Sequence, residues 1–309
     1  MRKLLFAAMS VLLAGTAHAE NIGITIARSD SAFLTILRQG MEDRAAKLDG
    51  VSVQVEDAQN DPSKQLDQVQ NFISSGVDAI VVVAVDGDGT PALTKMASAA
   101  GIPIVYANHP PADADGLPAT AAFVGSNEID SGTLETKEVC RLLGGKGSVY
   151  VLMGPLNNHS SLTRTKDIHD VIATDDCKGM SVIEEQSANW DRLEASNIMT
   201  NWLSTGREFD AVIANNDEMA IGAIQAMKAA GTDMSKVVVG GIDATPDGLA
   251  AMAAGDLDVT VFQNAIAQGA TAMDAAVALA REEKTERHIW VPFELVTPEN
   301  MKDYAKANQ

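Results

Sequence analysis

Six polar clusters in this chain each follow a short apolar run. Arg28-Ser29-Asp30-Ser31 comes after residues 22–26, Asp86-Gly87-Asp88 after 77–85, and Asn108-His109 after 102–107. In the second half, Asn157-Asn158-His159-Ser160 lies just beyond 148–152, Asn215-Asn216-Asp217-Glu218 follows 211–214, and Asp243-Ala244-Thr245-Pro246 follows 237–240. Amide side chains both give and accept hydrogen bonds, a carboxylate accepts several, and arginine donates from a rigid fork. Such a set suits a small molecule with several neighbouring hydroxyls. The competing explanation is helix capping by Asp and Asn. Capping accounts for Asp61 and Asp191 and is open for Asp217, but it requires no arginine and no aromatics drawn from both halves of a chain. A shared ligand site is the better reading.

Catalytic signatures are absent. There is no G-x-S-x-G elbow, no H-E-x-x-H and no G-x-x-x-x-G-K-[ST] phosphate loop, and Gly144-Gly145-Lys146-Gly147 precedes a strand, as a turn does. His109, His159, His169 and His288 have no metal-ligand spacing, and neither Cys140 nor Cys177 has a C-x-x-C partner. Asp86 and Asp88 stand beside glycine, which fits a solvated loop better than a cation site. Asp243 with His109 is the sole acid–base candidate, and ligand contact explains both more simply. No enzyme activity, metal or cofactor is expected. Forty-two acids against 23 bases give a net charge of −19, a field that repels polyanions and argues against nucleic acid as a partner.

The elements that must position these clusters alternate along all 309 residues. Near-continuous apolar strands at 22–26, 51–55, 77–85, 102–107 and 122–125 alternate with helix-period segments, and the pattern restarts with strands at 148–152, 181–185, 211–214, 237–240, 258–262 and 290–295. Strands without alternation belong to parallel sheets covered on both faces. Asp61-Pro62 and Thr245-Pro246 open helices with a cap and a proline at the first position, Asp191 and Glu194 have capping-box spacing, and a short helix is expected after Thr297-Pro298. This many strands suit two doubly wound α/β lobes of similar build better than a single sheet or an eight-unit barrel. In open parallel sheets ligands bind beyond the carboxyl ends of the strands, where the polar clusters stand. Ahead of the first strand, Met1-Arg2-Lys3, an apolar run at 4–15 and Ala17-His18-Ala19 have the order of a secretory signal peptide, with cleavage after Ala19. Removing it moves the net charge to −21.

The stretches 57–80 (DAQNDPSKQLDQVQNFISSGVDAI), 212–227 (VIANNDEMAIGAIQAM) and 240–248 (GGIDATPDG) resemble periplasmic sugar-binding proteins of the ribose/galactose-binding class, and the likeness extends over residues 20–309. It implies the type I periplasmic binding protein fold: two lobes on a three-segment hinge near Gly125, Asn264 and Val291, with residues 20–125 and 264–291 in the first lobe and 126–263 and 292–309 in the second. It further implies capture of a monosaccharide or cyclitol, delivery to a membrane ABC importer, a periplasmic location and a monomer. A signalling role through a chemoreceptor, with a furanose-like signal, and binding of an aminated inositol are the alternatives. Carried over residue by residue, the resemblance puts Phe33, Asn108, Arg164, Trp190, Asn216, Asp243 and Gln263 in the pocket, with Asp30, Ser31, Asp86, His109 and Asn158 as further candidates.

The departures bear on the ligand. Ser31 stands where hexose binders have aspartate and ribose binders asparagine, Ala84 where ribose binders have a second asparagine, and His109 where these relatives have arginine or lysine. The calcium loop of the hexose binders has no counterpart near 142–147. A ring substituted all round, a hexose or cyclitol, therefore suits the site at least as well as ribose. The family fold sets the helices carrying Cys140 and Cys177 side by side, and export permits oxidation. A disulfide and two separate thiols are both open.

Overall fold

The computed structural model describes residues 19–308, so the expected signal sequence lies outside the described residues except for Ala19. The first lobe is a parallel sheet of β1 (Glu20–Ile26), β2 (Val51–Asp57), β3 (Ala79–Val82), β4 (Ile104–Ala107), β5 (Ala121–Gly125) and β11 (His288–Trp290), in the order β11-β5-β4-β3-β1-β2. Helices α1 (Ala32–Ala45), α2 (Pro62–Ser75) and α3 (Thr90–Ala99) connect its strands, and α9 (Ala265–Ala280) packs beside α1. The second lobe repeats the plan with β6 (Lys146–Met153), β7 (Gly179–Ser187), β8 (Ala211–Ala214) and β9 (Val238–Gly240), in the order β7-β6-β8-β9. The antiparallel pair β10 (Thr260–Gln263) and β12 (Phe293–Val296) joins its edge through bridges at Gly240–Val259 and Asp243–Phe262. Helices α4 (Glu128–Leu142), α5 (His159–Ile172), α6 (Arg192–Ser204), α7 (Asp217–Ala229) and α8 (Pro246–Ala253) cover it.

Each sheet is apolar on both faces, as its unalternating strands require. On one side of the first sheet Ile22, Ile24 and Val81 meet Leu37, Met41 and Met273; on the other Ile80, Val82 and Tyr106 meet Phe72 and Leu93. In the second lobe Tyr150, Leu152 and Val212 face Met199, Trp202 and Met227, while Val149, Val151 and Ile213 face Val139 and Ile168.

The chain passes between the sheets after β5, after β10 and between β11 and β12. The run 290–295, read from sequence as one strand, is thus two: β11 pairs with β5, and β12 pairs with β10. Pro292 separates them, and a proline has no N–H with which to continue a ladder. The short helix expected after Thr297-Pro298 is a single 3-10 turn at Met301–Asp303. One smaller reading also changes. The capping box at α6 is half made: Asp191 accepts from the Glu194 N–H, but the Glu194 carboxylate takes Asn189 Nδ2 instead of reaching back. Cys140, near the end of α4, and Cys177, ahead of β7, are joined in a disulfide with Cα atoms 5.8 Å apart.

Candidate functional site

The carboxyl ends of both sheets face one cleft holding about 600 Å³ of empty space, part of it open to solvent. Phe33, Asn108, Arg164, Trp190, Asn216, Asp243 and Gln263 all line it, as do Ser31, His109 and Asn158. Two sequence candidates do not. Asp30 turns outward into an ion pair with Arg28, and Asp86 accepts the Asp88 N–H within its own turn. Each carboxylate thus finds a local partner, Asp30 in the cleft-lining Arg28 and Asp86 in its own turn.

Arg164 is the centre of the second-lobe wall. It lies one and a half turns into α5 and is 4% exposed. Its Nε and Nη2 grip Glu128 at 2.7 and 3.3 Å, Nη1 donates to the Asn215 carbonyl at 2.7 Å, and Nη2 lies 3.5 Å from Gln263 Oε1. The Glu128 grip exists because α4 and α5 cross closely: a Cβ on Gly132 would sit 2.7 Å from the Arg164 carbonyl. The guanidinium lies over the rings of Trp190 and Phe293, 5.5 and 5.8 Å from their centroids. Trp190 in turn fits over Gly154, where a Cβ would meet its ring at 2.3 Å.

Asp243 stands at the end of the second sheet with φ at 121°, a strained backbone for any residue but glycine. Its N–H donates to Val261 and its carbonyl accepts from Asn308 Nδ2, yet among the described residues no group donates to its carboxylate. Burial holds that carboxyl well above the usual range; Arg164 opposes the shift, and Asp217 adds to it. A buried acceptor without a donor is costly unless a ligand supplies one. Thr245 caps α8 through the Gly248 N–H and Pro246 takes its first position, so Asp243 serves neither task.

The remaining groups are partly committed. Asn108 has φ at 64° and gives Nδ2 to Gln268, which leaves Oδ1 for the cleft. Asn216, not Asp217, caps α7 by accepting the Met219 N–H, so its Nδ2 is the group left over. Ser31 and Asn158 cap α1 and α5 while lining the cleft. Among the described residues the buried Nε1 of Trp190 and Nε2 of Gln263 find no acceptor. His109 donates Nδ1–H to the Ala84 carbonyl at 2.6 Å, which leaves Nε2 as an acceptor, and burial keeps the ring neutral by lowering its pKa.

Sequence reading missed four contributors. Glu128 and Phe293 fix Arg164. Asp217 accepts from Thr245 N–H, Thr245 Oγ1 and Thr260 Oγ1 at 2.8, 3.1 and 2.7 Å and so holds the Asp243 loop. Asn60 lines the cleft opposite Trp190. Gln59-Asn60-Asp61 and Asn189-Trp190-Asp191 occupy the same place in the two lobes, each with two left-handed residues before an aspartate cap. That repeat was present in the sequence. Among the described residues no cluster of His, Cys, Asp or Glu could hold a metal ion.

Two α/β lobes closing on a cleft of hydroxyl-matching side chains define a solute-binding protein. The periplasmic binding protein domain matches residues 22–284, and the chain belongs to that family. A Rhizobium meliloti protein named for rhizopine binding is 58% identical over 97% of both chains. A Bacillus halodurans ABC transporter solute-binding protein, solved with bound myo-inositol, is 43% identical over 96% of this chain and 100% of its own, with a TM-score of 0.88. A Caulobacter myo-inositol-binding protein, also solved with myo-inositol, is 29% identical over 94% and 97%, with a TM-score of 0.86.

Proposed function

We propose that the chain is exported, is cleaved after Ala19, and captures a cyclitol of the inositol class in the periplasm for delivery to an ABC importer. The observation that carries this is the Asp243 carboxylate, without a donor among the described residues, facing a cleft that is also lined by Arg164, five amide side chains and the rings of Phe33 and Trp190. Vicinal hydroxyls would donate to Asp243 and accept from Arg164, while Phe33 and Trp190 cover the ring faces. The two inositol-bound relatives support the ring class, and Ser31 and Ala84 leave room for substituents all round. We place the lobe boundaries at residues 20–125 with 264–291, and 126–263 with 292–309, and take the protein to act as a monomer.

An aminated cyclitol is the second reading. Glu128, Glu135 and Asp243 all act electrostatically on Arg164, and Asp217 and Glu128 act on Asp243, so acids outnumber the one guanidinium at this wall. An ammonium would find a favourable field there, and a relative 58% identical to this chain is named for rhizopine binding. Thermal shift with myo-inositol, an amino-inositol, ribose, galactose and glucose tests both readings. A ligand at a thousandfold excess over its Kd adds about 4.1 kcal/mol to stability. Stabilisation by ribose or a hexose and by neither inositol would overturn the cyclitol reading. Engagement of a chemoreceptor by the closed form is the further partner proposed, and chemotaxis toward the ligand that survives importer deletion is its test.

A further inference from the structure

Beside the cavity, though not lining it, the two lobes touch at Gly87. Its N–H points at the Asn157 carbonyl at 3.4 Å, and His159 Nε2 lies 3.1 Å from Asp88 Oδ1. The Gly87 loop is fixed by its own lobe: the Gly87 carbonyl accepts from Thr90 Oγ1 at 2.6 Å and from the Ala112 N–H at 3.3 Å. A Cβ on Gly87 would stand 2.2 Å from His159 Cδ2 and 2.9 Å from its Nε2. Gly87 is not among the residues with positive φ, so its own backbone does not require glycine. The requirement comes from the opposite lobe alone, and it exists only when the lobes are together.

The ion pair is not the source of the effect. The Asp88 side chain is 80% exposed and that of His159 39%, and solvent screens pairs so exposed until they contribute little. What the geometry offers is fit: an imidazole laid where any side chain at position 87 would be. The contact is tied to the cavity wall on both sides, since Val85 precedes Gly87 by two residues and Asn158 and Ser160 flank His159, and all three line the cleft.

We propose that Gly87 and His159 are a positioning pair that sets how completely the lobes close over the ligand, without either residue touching it. Apparent affinity scales with the population of the binding-competent form, so a bulge at this contact weakens binding by holding the cleft ajar. The inference rests on the cleft being the ligand site, and the experiment separates the two. With myo-inositol as probe, Gly87→Ala is expected to raise Kd about tenfold, mainly through a faster off-rate, as overpacking of this size implies. The ligand-free melting temperature stays at the wild-type value, because the open form has no clash. Adding His159→Ala to Gly87→Ala removes the obstruction and returns Kd to within threefold of wild type. A Gly87→Ala protein with wild-type affinity overturns the proposal. So does one that melts early without ligand and is not rescued, since that is a purely structural defect. A ligand-independent arm uses Gly87→Cys with His159→Cys: oxidation should cross-link the lobes as they close transiently, and failure to cross-link overturns the contact. If wild type ignores myo-inositol, the reading of the ligand fails while the cross-link still decides the contact.

Discussion

Asp243 concentrates the argument at the scale of single residues. The residue is buried, strained in its backbone and without a donor to its carboxylate among the described residues, so it destabilises the free protein and gains most from a ligand. Alanine is a poor probe there, because φ at 121° would strain it whatever the ligand does. Asp243→Asn keeps the shape and carries the same backbone strain as the aspartate. It should weaken ligand binding by about 1.5–3 kcal/mol, a factor of roughly 10 to 150, with a ligand-free melting temperature equal to or above wild type. Isothermal titration and melting on one preparation check this; a Kd within threefold of wild type removes Asp243 from the site. The seven residues that the resemblance put in the pocket line the cleft together, and local pattern alone had marked the polar strand ends at Asn108, Asn216 and Asp243 but not Arg164, which lies inside α5. Glu128, Asp217 and Phe293 were not readable, since which acid grips Arg164, or which ring covers it, depends on how distant helices and strands cross. Asn108 illustrates the half-readable case: its place in the cleft follows from β4, but its bond to Gln268 on α9 follows only from the return of the chain to the first lobe.

At the scale of elements, unalternating strands and proline-opened helices gave the parallel sheets, and the repeat of that rhythm gave the second lobe. The resemblance put a hinge segment near Val291, but periodicity did not show the crossing at Val291-Pro292, because it does not distinguish one short strand from two that serve different sheets. The disulfide was open from sequence for a similar reason: α4 and the loop before β7 are adjacent only in the folded lobe. It joins them at the far end of α4 from Glu128, 37 residues apart in sequence. Replacing both cysteines by serine is expected to cost about 3–4 kcal/mol on the chain-entropy model. Binding in the folded fraction should be unchanged, because Glu128 and Arg164 are held by the Gly132 crossing and not by the bridge. Denaturant unfolding with and without reductant, followed by titration of the folded protein, tests this. A loss of affinity larger than threefold would show that the bridge sets the cleft.

For the whole molecule, the distribution of titrating groups makes a statement about pH that no single element makes. Glu135, Asp167, Asp217, Asp243 and Asp258, all in the second lobe, are held above the ordinary carboxyl range, in each case chiefly by burial, with Asp167 and Asp217 pushed up to about 7. A carboxyl whose pKa is raised by folding binds its proton more tightly folded than unfolded. Its contribution to stability is therefore complete below the unfolded value, about 4, and is lost as pH rises from there through the folded value. His109 works the other way: burial lowers its pKa, so stability is gained as pH rises through about 6.5. Asp30, Asp233 and Glu299 are held low by local donors, and their contribution disappears only as pH falls below about 4, outside the window that matters here. Five groups against one leave the ligand-free protein less stable at pH 8 than at pH 5, with a melting temperature lower by about 3–5 °C. The overall charge of −19 acts in the same direction, since deprotonation adds to self-repulsion. Ligand hydroxyls that donate to Asp243 favour its ionised form, so the stabilisation produced by a saturating cyclitol should grow from pH 5 to pH 8, and Asp243→Asn should abolish that growth. Melting curves at the two pH values, with and without ligand, decide both points. A ligand-free protein that gains stability toward pH 8 would refute the buried-carboxyl account, and a ligand effect equal at both pH values in wild type would separate Asp243 from the bound hydroxyls.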